Sequence, residues 1–269
     1  MPATLNVLSM KVLAIPNATQ ITANGINDWG QVVGQFTDNN GNVHGFLYEA
    51  DSFCEIDYAG MSGINLYKIN NLGQFVGSIS NAAGTFGFVY DRGTLSPPLA
   101  YPAAGVTYAY GINDRGEIAG AFYDAQGGSH GFLYKAVQFR ALNAPGAQHT
   151  GFQAINNSGQ MVGTITDPRG THGIVYLENV GVYSPVLDFP ESRVTYPQAI
   201  NNGGQIAGQY NTPAGHSRPF ICIAGEIVTI DIPGAVSASA LGINDRGQIA
   251  GNFIDANQVH HGFVAVLPL

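Results

Sequence analysis

The chain has 269 residues, of which 45% are hydrophobic, so it can bury a sizeable core, and its aromatic and β-branched residues are too numerous for a disordered chain. Only 10% of residues are charged, the formal net charge is −8, and the ten Lys and Arg are scattered singly. A nucleic-acid surface or an anionic-membrane surface is therefore disfavoured, because both need clustered positive charge. No segment approaches the roughly 18 apolar residues of a membrane span.

The chain begins with MPATLNVLSMKVL, which lacks a basic region followed by a long apolar run and so shows no signal peptide. The next stretch, KVLAIPNA at 11–18, matches the phrase IVTIDIPGA at 227–235. That second phrase stands where the fourth strand of a repeat is expected. Residues 10–16 are therefore predicted to form a fourth, outer strand as well.

From there to the end the sequence repeats itself. An Ile-Asn pair recurs every 43 or 45 residues, with its Asn at Asn27, Asn70, Asn113, Asn156, Asn201 and Asn244. Three residues after each Asn stands a glycine: Gly30, Gly73, Gly116, Gly159, Gly204 and Gly247. Four residues further stands another: Gly34, Gly77, Gly120, Gly163, Gly208 and Gly251. Six copies that keep all three positions indicate one structural unit repeated in tandem.

Each copy is predicted to form four strands. In the third copy these are VTYAYGIN, EIAGAFYD, HGFLYK and the stretch 136–143. Between the first two strands the Asn side chain can accept the N–H two residues on, and the first Gly takes the positive φ that closes a hairpin. The second Gly, inside a strand, predicts a backbone or a ring packed against it. A four-stranded unit of about 40–45 residues in tandem is typical of a β-propeller blade.

The last copy ends after its third strand, HGFVAVL, so the strand at 10–16 is predicted to complete it and close the ring. The prediction is an all-β chain in which residues 1–269 form a single domain, a six-bladed β-propeller of four-stranded antiparallel blades.

Cys54 and Cys222 fall in blades that are not neighbours, so two buried thiols and no disulfide are expected.

The phrase IN-x-x-G-Q-x-x-G, followed by HGF-x-Y, resembles the bacterial HAF extracellular repeat. The match covers all six copies and departs from the pattern at TFGF, 85–88, and at SRPF, 217–220. The resemblance implies a bacterial, secreted or extracellular protein with a propeller-like fold. It implies little about activity, because the repeat is known mainly as a sequence pattern.

Four histidines share one position of the repeat: His44, His130, His172 and His261. Zinc needs ligands that converge on one point, whereas equivalent positions of different blades lie on a wide circle. We therefore predict that each ring bonds to the Asp of the preceding loop, which is Asp38, Asp124, Asp167 or Asp255, and we predict no metal and no cofactor. The turn acids Asp28, Asp114 and Asp245 are likewise expected to make hydrogen bonds of the turn.

The segments before each Ile-Asn pair differ from copy to copy, and in a propeller they converge on the channel mouth. The predicted ligand contacts are Asn65, Tyr67, Tyr108, Tyr110, His149, Phe152, Gln153, Arg193, Tyr196 and Gln198. Tyrosines beside amides suit a sugar, which offers an apolar face and hydrogen-bonding groups. The competing interpretation is that these aromatic residues only fill the space between blades.

Two functions follow as hypotheses. The preferred one is a non-catalytic ligand-binding or interaction module, for instance a carbohydrate-binding one. It is expected to be a monomer and to bind a small molecule or glycan. The alternative is a hydrolase or lyase at the channel mouth, with His149, Arg193, Tyr196 and Glu191 as the acid–base group. The sequence assigns no catalytic residue beyond that alternative.

Overall fold

The structure is a computed structural model that describes residues 3–57, 62–184, 187–189, 192 and 194–269. In these residues the regular elements are β-strands throughout, as the repeat predicts. The described part of the chain contains no helix that is long and apolar enough to cross a membrane. The all-β prediction is therefore confirmed.

Two short strands precede the first repeat, β1 (Thr4–Asn6) and β2 (Ser9–Val12). Six repeat units follow, and within each unit successive strands pair antiparallel in chain order. Units 1 to 3 contain β3 (Ala18–Ile26), β4 (Val32–Asp38), β5 (Val43–Glu49), β6 (Ser52–Ile56); β7 (Ser62–Ile69), β8 (Phe75–Asn81), β9 (Gly84–Asp91), β10 (Thr94–Leu95); and β11 (Val106–Ile112), β12 (Ile118–Tyr123), β13 (Ser129–Lys135), β14 (Gln138–Leu142). Units 4 to 6 contain β15 (His149–Ile155), β16 (Gln160–Asp167), β17 (Gly170–Leu177), β18 (Val182–Tyr183); β19 (Thr195–Ile200), β20 (Ile206–Asn211), β21 (Ser217–Ile223), β22 (Glu226–Asp231); and β23 (Ala235–Ile243), β24 (Gln248–Asp255), β25 (His260–Val266).

The N-terminal strands join units that lie far away in sequence. β2 pairs antiparallel with β25, with Ser9 opposite Val266, so unit 6 has four strands, of which three come from its own repeat. Beyond β2, the Leu13 N–H donates to the Gly262 carbonyl at 2.9 Å. β1 pairs parallel with β22 and gives unit 5 a fifth strand, which the repeat pattern does not predict.

The first strands of successive units contact one another in the order β3, β7, β11, β15, β19, β23, and β23 contacts β3. Within each unit, the mid-strand glycine allows close packing of the first three strands. At Gly120 a Cβ atom would collide with the Tyr108 carbonyl and with the ring of Phe132, which is fully buried. The predicted packing of backbone and ring against this glycine is therefore confirmed.

The turn after each Ile-Asn pair also has the predicted form. In unit 3 the Asn113 Oδ1 accepts the N–H groups of Arg115 and Glu117, both at 3.0 Å, and Gly116 has φ +73°. The Asn113 Nδ2 in addition donates to the Asn156 carbonyl of unit 4 at 3.1 Å. The equivalent Asn bonds the next unit in all six cases, at 2.9 to 3.1 Å, and the sixth runs from Asn244 to Asn27.

Asn156→Ala is expected to lower the free energy of unfolding by about 2–3 kcal/mol, because it leaves buried partners in two units without their hydrogen bonds. Urea unfolding followed by fluorescence measures the change. Ser158→Ala is the control, since Ser158 is an exposed residue of the same turn. A loss for Asn156→Ala no larger than that of the control would contradict the structural role of this bond.

The repeated histidines bond as predicted. The Nε2 atoms of His130, His172 and His261 lie 2.8, 3.2 and 3.2 Å from carboxylate oxygens of Asp124, Asp167 and Asp255. In unit 1 the His44 Nε2 lies 3.5 Å from Asp38 Oδ2. The four rings therefore occupy equivalent positions, each beside the aspartate of the loop before it.

The prediction for the two thiols is half wrong. Cys222 is buried, and this burial raises the pKa of its thiol, whereas Cys54 is exposed. Cys54 lies on β6, the edge strand of its sheet, which no further strand covers, and Ile56 alone of the β6 residues is buried. Neither cysteine forms a disulfide.

Candidate functional site

Each first strand ends at its Ile-Asn turn, and at this end the residues of neighbouring units contact one another. The Ile-Asn pairs and the residue after each pair line an axial cavity of about 70 Å³. The Asn71 N–H donates to Asp114 Oδ1 at 2.7 Å, and the Asp245 N–H donates to Asp28 Oδ1 at 2.8 Å. Asp28, Asp114 and Asp245 thus bond to neighbouring units, which corrects the expectation of bonds within their own turns, because adjacent turns lie side by side.

A larger cavity lies at the opposite end, where the first strands begin. It has a volume of about 460 Å³ and is lined by units 3 and 4 and by Tyr196 of unit 5. Four of the predicted contact residues line it: Tyr110, His149, Gln153 and Tyr196. We call it the rim cavity.

A bulge directs two of these side chains. The first strand of each unit shifts register near its middle, between Ala109 and Gly111 in β11 and between Phe152 and Ala154 in β15. Tyr110 and Gln153 are the extra residues at these two shifts. A bulge re-aims the side chain it carries and breaks the ladder locally. Tyr110 and Gln153 therefore occupy equivalent positions in neighbouring units and both line the rim cavity.

Tyr110 belongs to a group of packed tyrosines. Its ring lies edge-on to Tyr67 at 4.8 Å and stacks on Tyr108 at 5.3 Å, and Tyr108 in turn contacts Tyr123. Burial raises the pKa of Tyr67 to about 12 and raises that of Tyr110 further. Both phenols therefore stay protonated and neutral near pH 7.

The polar groups of the rim cavity are uncharged. The Ser129 N–H donates to His149 Nδ1 at 3.2 Å, so the neutral ring carries its proton on Nε2 and acts as a donor there. The hydroxyls of Thr166 and Thr171 lie 3.3 Å apart. Among the lining residues that the structure describes there is no Asp, Glu, Lys or Arg.

The sequence did not predict six of the polar or aromatic lining residues: Tyr123, Ser129, Thr150, Thr164, Thr166 and Thr171. Thr150 lies on the first strand β15, whereas the other five lie on the second and third strands of their units, which the prediction did not consider. Thr164 follows the mid-strand Gly163, at a position that differs from copy to copy, with Gln35, Ser78, Ala121, Gln209 and Asn252 in the other units. A search for positions that differ between copies, extended to the second strand of each unit, would have identified Thr164 as a candidate.

The remaining predicted contacts have other surroundings. Tyr67 and Tyr108 support Tyr110 from behind, and Asn65 and Gln198 are half-buried and are not among the lining residues. Phe152 is a correction: its side chain is fully buried against Leu133 and Ile174, so it belongs to the core. Glu191 and Arg193 lie outside the described residues.

The chain matches no protein-family model, and no curated protein matches its sequence. Its structure is similar to a TolB candidate from Agrobacterium tumefaciens, with TM-score 0.65 and 8% identity over 93% of this chain and 91% of that one. It is also similar to a luciferin-regenerating enzyme, with TM-score 0.56 and 14% identity over 96% and 95% of the two chains. A third similar structure is the Aleuria aurantia lectin in complex with a fucose–GlcNAc disaccharide, with TM-score 0.54 and 12% identity over 96% and 97%.

These similar structures are β-propeller proteins, and the chain therefore has a β-propeller fold. At 8–14% identity the likeness defines the fold alone. The function has to be argued from the rim cavity itself.

Proposed function

We propose that the protein is a non-catalytic binding module that takes a neutral sugar in the rim cavity. The observation that carries the proposal is the composition of the described lining: three tyrosines, an amide, hydroxyls and a neutral imidazole around about 460 Å³. This volume lies within the roughly 300–1,000 Å³ usual for small-molecule sites. Tyrosine faces cover the apolar side of a sugar ring, and hydroxyl and amide groups bond its hydroxyls.

The scaffold that we propose for this site is a closed ring of six blades in a single domain, each built on four antiparallel strands, with β1 added as a fifth strand in unit 5. Its support is the cyclic series of first-strand contacts, the Asn244 to Asn27 bond and the pairing of β2 with β25. Such a ring fixes Tyr110, Gln153 and Tyr196 on strands, which hold side chains more rigidly than loops do. The HAF-like repeat adds the proposal that the protein is bacterial and exported, and we propose separately that it is a monomer.

A hydrolase or lyase at the same cavity is the second candidate. It is favoured by His149 and Tyr196, which line the cavity together. A lectin and an enzyme are both among the similar structures, so the fold is compatible with either. Release of reducing sugar, or of an unsaturated product, from the bound ligand would identify the enzyme; unchanged ligand after long incubation supports the binding module.

Gln153→Ala and Tyr196→Ala are each expected to weaken sugar binding at least tenfold, about 1.4 kcal/mol, with the melting temperature changed by only a few degrees. A glycan array of neutral mono- and disaccharides selects the ligand, and calorimetry measures its affinity. Gln198→Ala is the matched control, because Gln198 has the same bulge position in unit 5 and is not among the lining residues.

Binding that is lost equally in Gln198→Ala would contradict the placement of the site. A large fall in melting temperature for Tyr196→Ala would show instead that this tyrosine is packing between units. An array without any bound neutral sugar would overturn the ligand class.

A further inference from the structure

One of the four equivalent histidines has surroundings that the others lack. The Nδ1 atoms of His130 and His172 each have one side-chain partner, Asn143 Oδ1 at 3.0 Å and Asp188 Oδ2 at 2.8 Å. The His44 Nδ1 lies 2.7 Å from Asp57 Oδ2 and also 3.5 Å from Glu55 Oε1. The His44 Nδ1 therefore faces two carboxylates, whereas the Nδ1 of His130 or His172 faces one side-chain group.

The extra carboxylate is specific to unit 1. Glu55 pairs across the strands with Phe46, and the corresponding pair in unit 3 is Phe132 with Ala141. The chain thus places a methyl group in unit 3 where unit 1 has an acid. The difference is not needed for the fold of the unit, because unit 3 keeps the same histidine contact without it.

The imidazole of His44 is held in place from two other sides. The ring of Phe36 stacks on it at 5.0 Å, and Asp38 lies 3.5 Å from its Nε2. With Asp38 on the Nε2 side, Nδ1 is the ring atom that faces Glu55 and Asp57.

The charges around Nδ1 are not balanced. Three carboxylates, Asp38, Glu55 and Asp57, surround one imidazole, and no Lys or Arg of the described chain forms an ion pair with Glu55 or Asp57. Carboxylate oxygens of Glu55 and Asp57 lie within 4.8 Å of each other. A cation bound between the two carboxylates would offset their repulsion.

We propose that His44 Nδ1, Glu55 and Asp57 bind a divalent first-row transition-metal ion such as Zn²⁺ or Mn²⁺. Their ligand atoms all lie within 4.8 Å of one another, and an ion with bonds of about 2.0–2.2 Å holds neighbouring ligands roughly 3 Å apart. Small side-chain adjustments suffice to reach this spacing.

The surroundings fit the same class of ion. A nitrogen ligand beside two carboxylates favours a transition-metal ion over Ca²⁺ or Mg²⁺, which prefer oxygen ligands alone. His44 and Glu55 also line a cavity of about 500 Å³, which leaves space for water molecules to complete the coordination. Asp38 beside Nε2 corresponds to the carboxylate that usually orients a metal-bound histidine.

The test is calorimetric titration of the chain, without a polyhistidine tag, with ZnCl₂ and separately with MnCl₂. We expect one ion per chain for the unchanged protein and at least tenfold weaker binding for Glu55→Gln. Asp188→Asn is the matched control, since Asp188 contacts His172 as Asp57 contacts His44, and it should leave the affinity unchanged. Glu55 is half-exposed, so its variant should keep the melting temperature.

Absence of stoichiometric binding in the unchanged protein overturns the proposal. The same is true if Glu55→Gln binds as well as the unchanged chain, or if Asp188→Asn weakens binding equally. If Glu55→Gln fails to fold, Asp57→Asn is titrated in its place, and it is likewise expected to bind the ion at least tenfold more weakly than the unchanged chain.

Discussion

A chain that begins at Leu13 is expected to melt at least 10 °C below the full chain and to aggregate on concentration. This truncation removes β2 from the edge of β25 and β1 from the edge of β22. Both edges would then present unpaired N–H and C=O groups, which pair readily with other chains. The truncated chain keeps Leu13 and Ile15, which are buried in unit 1. The fall in melting temperature is therefore due to the loss of β1 and β2.

The size of the effect follows from what the strands contribute. Leu5, Val7 and Met10 pack against the buried cluster that includes Ile230 and Phe263. Loss of this apolar burial and of the strand hydrogen bonds costs about 4–5 kcal/mol. For a chain of this size that corresponds to a fall of roughly 10–20 °C.

Lys11→Ala is the control for the truncation. It removes the ion pair between Lys11 and Asp51 and keeps β2 intact. Both side chains are exposed, and exposed ion pairs contribute about 0–1 kcal/mol, so the melting temperature should change little. Scanning calorimetry with light scattering compares the three chains. A truncated chain that melts with the full chain would show that these strands do not complete the sheets.

The repeat predicted those parts of the fold that depend on neighbours within one unit. The turn at Asn113, the positive φ of Gly116 and the bond of His130 to Asp124 are of this kind, since all their atoms belong to one copy. The parallel pairing of β1 with β22 was not predicted, because no repeated phrase marks it. The bond from Asn113 to Asn156 was missed for a related reason: it depends on how adjacent units are placed.

The candidate site could be predicted in part for the same reasons. Variability before each Ile-Asn pair pointed to Tyr110, Gln153 and Tyr196, and all three line the rim cavity. Phe152 was assigned wrongly because alternation along β15 was not applied. It packs over Gly131 of unit 3, whereas its neighbour Gln153 lines the cavity.

Lys68 is the one position of the first strands where a pattern of small residues is broken by a charge. The equivalent residues in the other units are Gly25, Gly111, Ala154, Ala199 and Gly242. Lys68 Nζ donates to the Asn24 carbonyl at 2.9 Å and borders an axial cavity of about 50 Å³ that is lined mainly by isoleucines. Burial in these apolar surroundings lowers the pKa of the Lys68 ammonium to about 7.

Lys68→Met is therefore expected to stabilise the protein by about 2–4 kcal/mol at pH 7, since each pKa unit corresponds to about 1.4 kcal/mol and some of the gain is offset by the lost bond to Asn24. The two side chains are similar in volume, so little repacking is needed. Urea unfolding of both chains at pH 7 measures the difference. Lys11→Met, at an exposed lysine, should change the stability little.

The dependence on pH separates this explanation from a simple packing effect. The pKa of Lys68 is about 7 in the folded chain against an ordinary value of 10.5, so between these values the unfolded chain binds more protons and stability rises with pH. Below pH 7 the amine is charged in both states and the cost is at its full value. The advantage of Lys68→Met should therefore be largest at pH 6 and shrink steadily toward pH 9.5, a range in which Tyr67, with a pKa of about 12, stays protonated. An advantage that does not change with pH would mean that the ammonium is not desolvated, and a loss of stability would mean that the bond to Asn24 outweighs the burial of the charge.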